Sequence, residues 1–315
     1  MKIVCDQHIP FLVEAVHEHW ADVQITPMKP SEIDASVVRD SDVLVVRTRT
    51  QVNQSLLAGS QVKLVCTATI GFDHIDTAYC ASQGIAWTSC PGCNAQAVCD
   101  YIEEAIDEYV SLDSPFASHP YPLTVGVVGV GHVGSLVAQM AERKGWQVLL
   151  NDPPKHIGVS LDSIGKTCDI ITFHTPLDAS TYHLCNEQWL QQCKNGALII
   201  NAARGGVVDE LALLRSGHPY ILDCWENEPQ INCDVLRNAF RASMHIAGYS
   251  LQGKITATQM CLDAIASRFH LPPIVLPMPQ KGEGDSATGW LQRISQRLKS
   301  APLDFENLRQ NYILR

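Results

Sequence analysis

Apolar residues along this chain fall mostly into short unbroken runs, separated by stretches with helical spacing. Lys2–Cys5, Val43–Val46 and Leu64–Ala68 are such runs, and Pro10–Trp20 between them has apolar positions three and four apart. An unbroken apolar run predicts a strand buried on both faces, and strands alternating with helices predict a parallel sheet. Asn94–Leu112 predicts one long helix, with Asn94 as N-cap and Ala95, Val98, Ile102, Ala105 and Ile106 on its apolar face. Ser111–Pro122 holds three prolines and predicts a loop. A second α/β block is expected from Leu123 to about His245, with strands near Thr124–Val128, Gln147–Asn151, Ile170–His174, Ala197–Ala202 and Tyr220–Cys224. The chain turns helical again over Gly253–Phe269. Pro272–Gly289 reads as an irregular loop, Gly289–Arg315 has helical character, and no repeat of fixed period is present.

Composition narrows the class. A length of 315 residues suggests two domains, and 46% hydrophobic residues allow sizeable cores. The 23 basic and 33 acidic residues leave a formal charge of −10, which argues against nucleic acid or an anionic membrane as the main partner. No apolar stretch approaches the roughly 18 residues needed to span a bilayer. Asp6 interrupts the first apolar run too early for a signal peptide. The 12 cysteines are therefore expected to be free thiols in a reducing cytoplasm. Cys90-Pro91-Gly92-Cys93 has redox spacing, but no thioredoxin-like pattern surrounds it and no second cysteine pair stands at zinc spacing. No metal is expected.

The chemistry is carried by two groups of residues. Gly129-Val130-Gly131-His132-Val133-Gly134 is G-x-G-x-x-G placed between an apolar strand and the predicted helix Val133–Lys144. Gly129 permits the tight turn, Gly131 lets the backbone approach a pyrophosphate, and Gly134 lets helix and strand pack closely. The helix start at His132 and Val133 offers free N–H groups to phosphates. Asp152, 23 residues after Gly129, ends the next strand at the spacing of a ribose-binding acid and favours NAD over NADP. Further on, Arg204, the acids Asp223 and Glu228, and His245 follow strand ends, where ligands collect in an open α/β sheet. Oxidising a 2-hydroxy acid needs a base near neutral pKa, which His245 supplies. It also needs a carboxylate to orient that base and a fork-shaped cation for the substrate carboxylate.

These motifs resemble the D-2-hydroxyacid dehydrogenase family. Its hallmarks are the glycine motif, an N-x-x-R-G-x-x-V-D stretch matched by Asn201–Asp209, an acid just before proline, and a histidine near the end of the cofactor domain. The resemblance implies that Arg204 binds the substrate carboxylate, that Glu228 partners the histidine and that His245 is the acid/base. It also implies cofactor contacts at Thr175, Asp223 and Gly248, and substrate contacts at Thr48, Thr69 and Tyr249. Thr48 stands where the family usually has serine. Pro91-Gly92-Cys93-Asn94-Ala95 and His245-Ile246-Ala247-Gly248-Tyr249 are similar to a branch acting on a small phosphorylated 2-hydroxy acid. Arg47 and Arg49, beside Thr48, are candidates for its phosphate.

The implied fold is α/β: a Rossmann-type NAD domain over 94–247 and a flavodoxin-like substrate domain over 1–93 and 248–275. The chemistry is expected in the cleft between them. Residues 276–315 are expected to be a short C-terminal segment, the remnant of a dimerisation domain, and the protein a homodimer. Two alternatives stay open. One is a dehydrogenase of another 2-hydroxy acid, such as phosphoglycerate, glycerate or a lactate-like acid. The other is a non-catalytic NAD-binding regulatory dimer.

Overall fold

The computed structural model describes residues 1–111, 122–278 and 289–312. Most of the loops expected over Ser111–Pro122 and Pro272–Gly289 therefore lie outside the described residues. The chain divides into two units. One comprises Met1–Asn94 and the described part of Ser250–Lys281, the other Ala95–Tyr249 and the described part of Gly282–Arg315.

In the first unit the strands are β1 (Lys2–Asp6), β2 (Gln24–Met28), β3 (Val43–Val46), β4 (Leu64–Thr67) and β5 (Ala86–Thr88). They form one five-stranded parallel sheet in the order β2-β1-β3-β4-β5, the flavodoxin-like arrangement. The apolar runs occupy its centre, and every residue of Val43–Val46 is 0% exposed. β2 was not expected, because Gln24-Ile25-Thr26-Pro27-Met28 lacks a continuous apolar run. It lies at the edge of the sheet, where a proline costs no ladder hydrogen bond on its open side. The helix Leu251–Phe269 also belongs to this unit. It starts earlier than its apolar spacing suggests, because the Ser250 side chain accepts from the Gly253 N–H, and it ends at His270 in the left-handed region. Ile255, Cys261, Leu262 and Ile265 bury its inner face against the sheet core.

In the second unit the strands are β6 (Thr124–Val128), β7 (Gln147–Asp152), β8 (Ile157–Gly158), β9 (Ile170–Phe173), β10 (Leu198–Asn201), β11 (Tyr220–Leu222) and β12 (Arg241–Ala242). Their order is β12-β11-β10-β9-β6-β7-β8. All neighbours are parallel except β7 and β8, which pair antiparallel after the turn at Pro153–Lys155. The order reverses between β6 and β9, the switch point at which Rossmann folds bind dinucleotides. The helix Ala95–Ser111 buries Val98, Ile102, Ala105 and Ile106 against this sheet, as its spacing predicts. The described tail packs here too. Leu291, Leu298 and Phe305 are 0% exposed and Leu308 is 4%. Each such burial contributes about 1.5–3 kcal/mol, so the tail is tied to this core.

Candidate active site

At the end of β6 the chain turns at Gly129, with φ 90°, and enters the helix His132–Arg143 through Gly131. A Cβ on Gly134 would meet the Gly129 carbonyl oxygen at 1.9 Å, so only glycine lets the helix sit this close to the turn. A Cβ on Gly131 would meet nothing within 4 Å, which leaves the space a pyrophosphate backbone requires. His132 and Val133 open the helix, and their amides are among those a helix start leaves without intrahelical partners. Asp152, 8% exposed, accepts the Val130 N–H at 2.8 Å through Oδ2, and this pins the glycine loop. Lys155 Nζ lies 3.7 Å from the same oxygen. Thr175, just past β9, has a buried hydroxyl with no hydrogen-bond partner among the described residues. A buried orphan hydroxyl beside an open glycine cradle is what a bound dinucleotide would satisfy. The residues therefore fit NAD.

Asp152→Ser is expected to raise relative use of NADP by about 10-fold or more, because a repulsive charge leaves the ribose edge and Lys155 remains. Ratios of kcat/KM for the two cofactors check this, and an unchanged ratio would remove Asp152 from cofactor choice.

The strand ends of β10, β11 and β12 carry the expected reacting groups. Asn201 holds the loop after β10: its Oδ1 accepts from Ala203 N at 3.1 Å and its Nδ2 donates to the Arg204 carbonyl at 2.9 Å. Arg204 is exposed beyond it, with Nη1 on the Ala203 carbonyl at 2.7 Å. A Cβ at Gly205 would meet the Trp225 carbonyl oxygen at 1.9 Å, so this loop lies directly on the loop carrying Glu228. Glu228 accepts the Trp225 N–H through Oε1 at 2.8 Å and contacts His245 Nδ1 through Oε2 at 2.8 Å. His245 sits in the left-handed region at φ 57° and its N–H donates to the Asp223 carbonyl. The Asp223 carboxylate, 1% exposed, accepts from Ser243 Oγ at 2.6 Å, Ile246 N at 2.8 Å and Ala247 N at 3.0 Å. It thereby shapes the turn that presents His245, Gly248 and Tyr249.

Burial opposes a charge on the His245 ring, but the Glu228 hydrogen bond and the Asp223 and Glu228 charges outweigh it, while Arg204 acts the other way. The net result is a pKa above the ordinary histidine value. Cys224, Glu228 and His245 place donor atoms within 4.8 Å of one another. Arg309 Nη1, 3.8 Å from Glu228 Oε2, brings positive charge that opposes a cation there.

Other expected residues lie in the first unit. Arg47 follows β3, with Nε on Asp6 Oδ2 at 2.8 Å, and Thr48 and Arg49 are exposed beside it. Thr69 follows β4, and its hydroxyl donates to the Gly71 carbonyl at 2.9 Å. Thr67 links Thr69, at 2.6 Å, to His74 Nε2, at 3.0 Å. That chain fixes the Thr69 rotamer, and sequence reasoning did not find it. Cys90 Sγ lies 3.8 Å from Cys261 Sγ, and its S–H has the carbonyls of Thr67 and Ala257, each at 3.3 Å, as acceptors to choose between. Cys93 is pushed up to about 11, chiefly by burial, which suppresses the thiolate that redox chemistry needs.

Glu210 was also missed, because it reads as an ordinary first-turn acid after the cap Asp209. It is 3% exposed and accepts the Glu226 N–H. Burial, opposed by that hydrogen bond and aided by the charges of Glu226, Glu228 and Asp209, pushes its carboxyl from 4.5 up to about 8. In that window the unfolded chain has lost this proton while the folded one keeps it, so stability falls as pH rises from 4.5 to about 8. Glu210→Gln keeps an acceptor for Glu226 and cannot ionise. It is expected to match wild type near pH 4 and to be more stable by about 3–5 kcal/mol at pH 8. Thermal melts of both proteins across this range check it; a pH-independent difference would mean that Glu210 titrates normally.

A Rossmann unit with this Arg-Glu-His arrangement at its strand ends defines the class of D-2-hydroxyacid dehydrogenases. The family of D-isomer specific 2-hydroxyacid dehydrogenase NAD-binding domains matches residues 103–247. The erythronate-4-phosphate dehydrogenase of Bacteroides fragilis (strain ATCC 25285) is 42% identical, covering 100% of this chain and 97% of the relative. That of Ectopseudomonas mendocina (strain ymp) is also 42% identical, over 90% of this chain and 78% of its own. The chain belongs to the erythronate-4-phosphate dehydrogenases, and its cofactor is NAD. Among solved structures, the NAD-complexed D-isomer specific 2-hydroxyacid dehydrogenase of Lactobacillus delbrueckii ssp. bulgaricus shares the fold. It has a TM-score of 0.69 and 24% identity, over 88% of this chain and 100% of that one. Among the described residues no helix is long and apolar enough to cross a membrane.

Proposed function

We propose that this chain oxidises 4-phospho-D-erythronate at C2 to 3-hydroxy-2-oxo-4-phosphooxybutanoate, a step in pyridoxal 5'-phosphate biosynthesis, and works in the cytoplasm as a homodimer. The observation that carries the reading is the His245–Glu228 pair beside Arg204, in a chain whose full length aligns with relatives of that name.

His245 takes the proton from the C2 hydroxyl at Nε2, the ring nitrogen that does not face Glu228. Glu228 holds the ring through Nδ1 and stabilises the imidazolium that forms. Arg204 grips the substrate carboxylate and orients C2. NAD, when bound, would supply the hydride acceptor for C2. Gly129, Gly131, Gly134, His132 and Val133 would hold its pyrophosphate, Asp152 its ribose, and Thr175, Asp223 and Gly248 its remaining polar edges. Thr48, Thr69, Tyr249 and Arg47 complete the contacts to substrate.

Purified protein with NAD and each of 4-phospho-D-erythronate, 3-phosphoglycerate, D-glycerate and D-lactate tests the reading. NADH formation should be most efficient with the first. Higher kcat/KM with another acid would reassign the substrate, and NAD binding without turnover on any of them would make the chain a binding protein.

A further inference from the structure

The tail of the chain brings a second guanidinium to the reacting groups. We propose that Arg309, on the C-terminal helix Phe305–Gln310, is a substrate-binding residue that receives the phosphate of a small phosphorylated hydroxy acid. The inference rests on the substrate class proposed above and adds the residue that recognises it.

Its position is set by packing. Phe305, 0% exposed, and Leu308, 4% exposed, are buried in the same core as β10, β11 and Trp225. Arg309 follows directly on Leu308, so its direction is fixed by two anchored side chains. Nη1 comes to 3.8 Å from Glu228 Oε2, and Nη2 to 2.9 Å from Glu306 Oε2. The first distance is too long for a hydrogen bond. Both Glu228 oxygens are already engaged, by Trp225 N and His245 Nδ1. Arg309 thus stands beside the catalytic carboxylate without consuming its donors on it. Its partner Glu306 is 41% exposed, and such half-solvated pairs are weak enough for an incoming dianion to displace.

Charge balance favours an anion here. The reading places two anionic groups at opposite ends of a four-carbon substrate, and Arg204 can grip only one. Around the reacting histidine stand the acids Asp223 and Glu228. These acids repel the phosphate, so a cation of the same unit beside them favours its binding, in addition to the candidates Arg47 and Arg49 of the first unit. Arg309 supplies that cation in the planar fork that binds two phosphate oxygens at once. Tyr249, already assigned to substrate, has its ring 6.4 Å from Tyr312 on the same tail segment. The positive charge of Arg309 also acts on the Tyr249 hydroxyl, partly offsetting the rise that burial causes.

The rival account is that Arg309 only pins the tail through Glu306 and Glu228. Steady-state kinetics of the full-length wild type, Arg309→Gln and Arg309→Lys separate the two, using 4-phospho-D-erythronate and unphosphorylated D-erythronate. Inorganic phosphate serves as a competing probe. The glutamine variant is expected to raise KM for the phosphorylated acid about 10–100-fold, with kcat within about threefold and KM for D-erythronate unchanged. The lysine variant should recover part of the loss, and inhibition by phosphate should weaken in parallel. Equal effects on both acids, or a lowered melting temperature with unchanged KM values, would overturn the phosphate site. If wild type does not oxidise 4-phospho-D-erythronate, the proposed substrate fails. Calorimetric binding of inorganic phosphate to wild type and Arg309→Gln then still decides the site: it stands if the variant binds more weakly and falls if both bind alike.

Discussion

Replacing His245 by alanine is expected to lower turnover by about 10²–10⁴, the usual worth of a positioned proton-transfer group, while leaving NADH affinity nearly unchanged. The ring meets Glu228 at 2.8 Å and is a third exposed, so its other nitrogen has access to substrate. Glu228→Gln should act differently. The carboxylate favours imidazolium, and removing its charge lowers the histidine pKa from its raised value. Oxidation needs the neutral ring, so turnover falls on the acid side as the ring is protonated. With a lower pKa that acid limb moves to lower pH, and the alkaline rate changes less than in His245→Ala. The pH dependence of kcat for wild type and Glu228→Gln, measured side by side, reads this out. Superimposable profiles would dissolve the pairing, and a fully active His245→Ala would sink the mechanism.

The second large effect concerns folding and catalysis together. Asp223→Ala deletes the acceptor of three buried donors: the Ser243 hydroxyl and the N–H groups of Ile246 and Ala247. The Ser243 hydroxyl can turn to the Tyr101 hydroxyl at 2.8 Å, but each amide left without its acceptor costs about 1–3 kcal/mol, so the loss should reach about 2–5 kcal/mol in all. The same turn holds His245 in a left-handed conformation that side chains adopt only when their surroundings impose it. Turnover of the surviving folded protein should therefore fall as well. Asp223→Asn, which keeps one acceptor oxygen, should lose less on both counts. Denaturant midpoints with matched kinetics check this. A loss below about 1 kcal/mol would mean that water or a relaxed loop satisfies the donors.

Much of this was readable from local pattern. The runs Val43–Val46, Leu64–Ala68, Thr124–Val128 and Ile170–His174 became central parallel strands, because an unbroken apolar run is stable only with both faces covered. The helix Ala95–Ser111 followed from its spacing, and the glycine motif from the strand and helix that flank it. The residue types of the site were legible for the same reason: Arg204, Glu228 and His245 each follow a strand end.

Tertiary structure decided what depends on residues distant in the chain. The edge strands β2 and β12 are too short or too polar to announce themselves and exist because a neighbouring strand supplies their hydrogen bonds. Glu210 looks like any exposed first-turn acid, and only the loop bearing Glu226 buries it and raises its pKa. Thr69 gains its orientation from His74 through Thr67. Arg309 stands 81 residues after Glu228 in a tail whose sequence reads as helical and as the remnant of a dimerisation domain, with no site residue in it, yet Phe305 and Leu308 seat it beside the Glu228 carboxylate. Hydrophobic periodicity is a property of neighbouring residues and so is written along the chain. Burial of a charge, and the partner that answers it, are set by which surfaces meet, and that is settled only when the chain has folded.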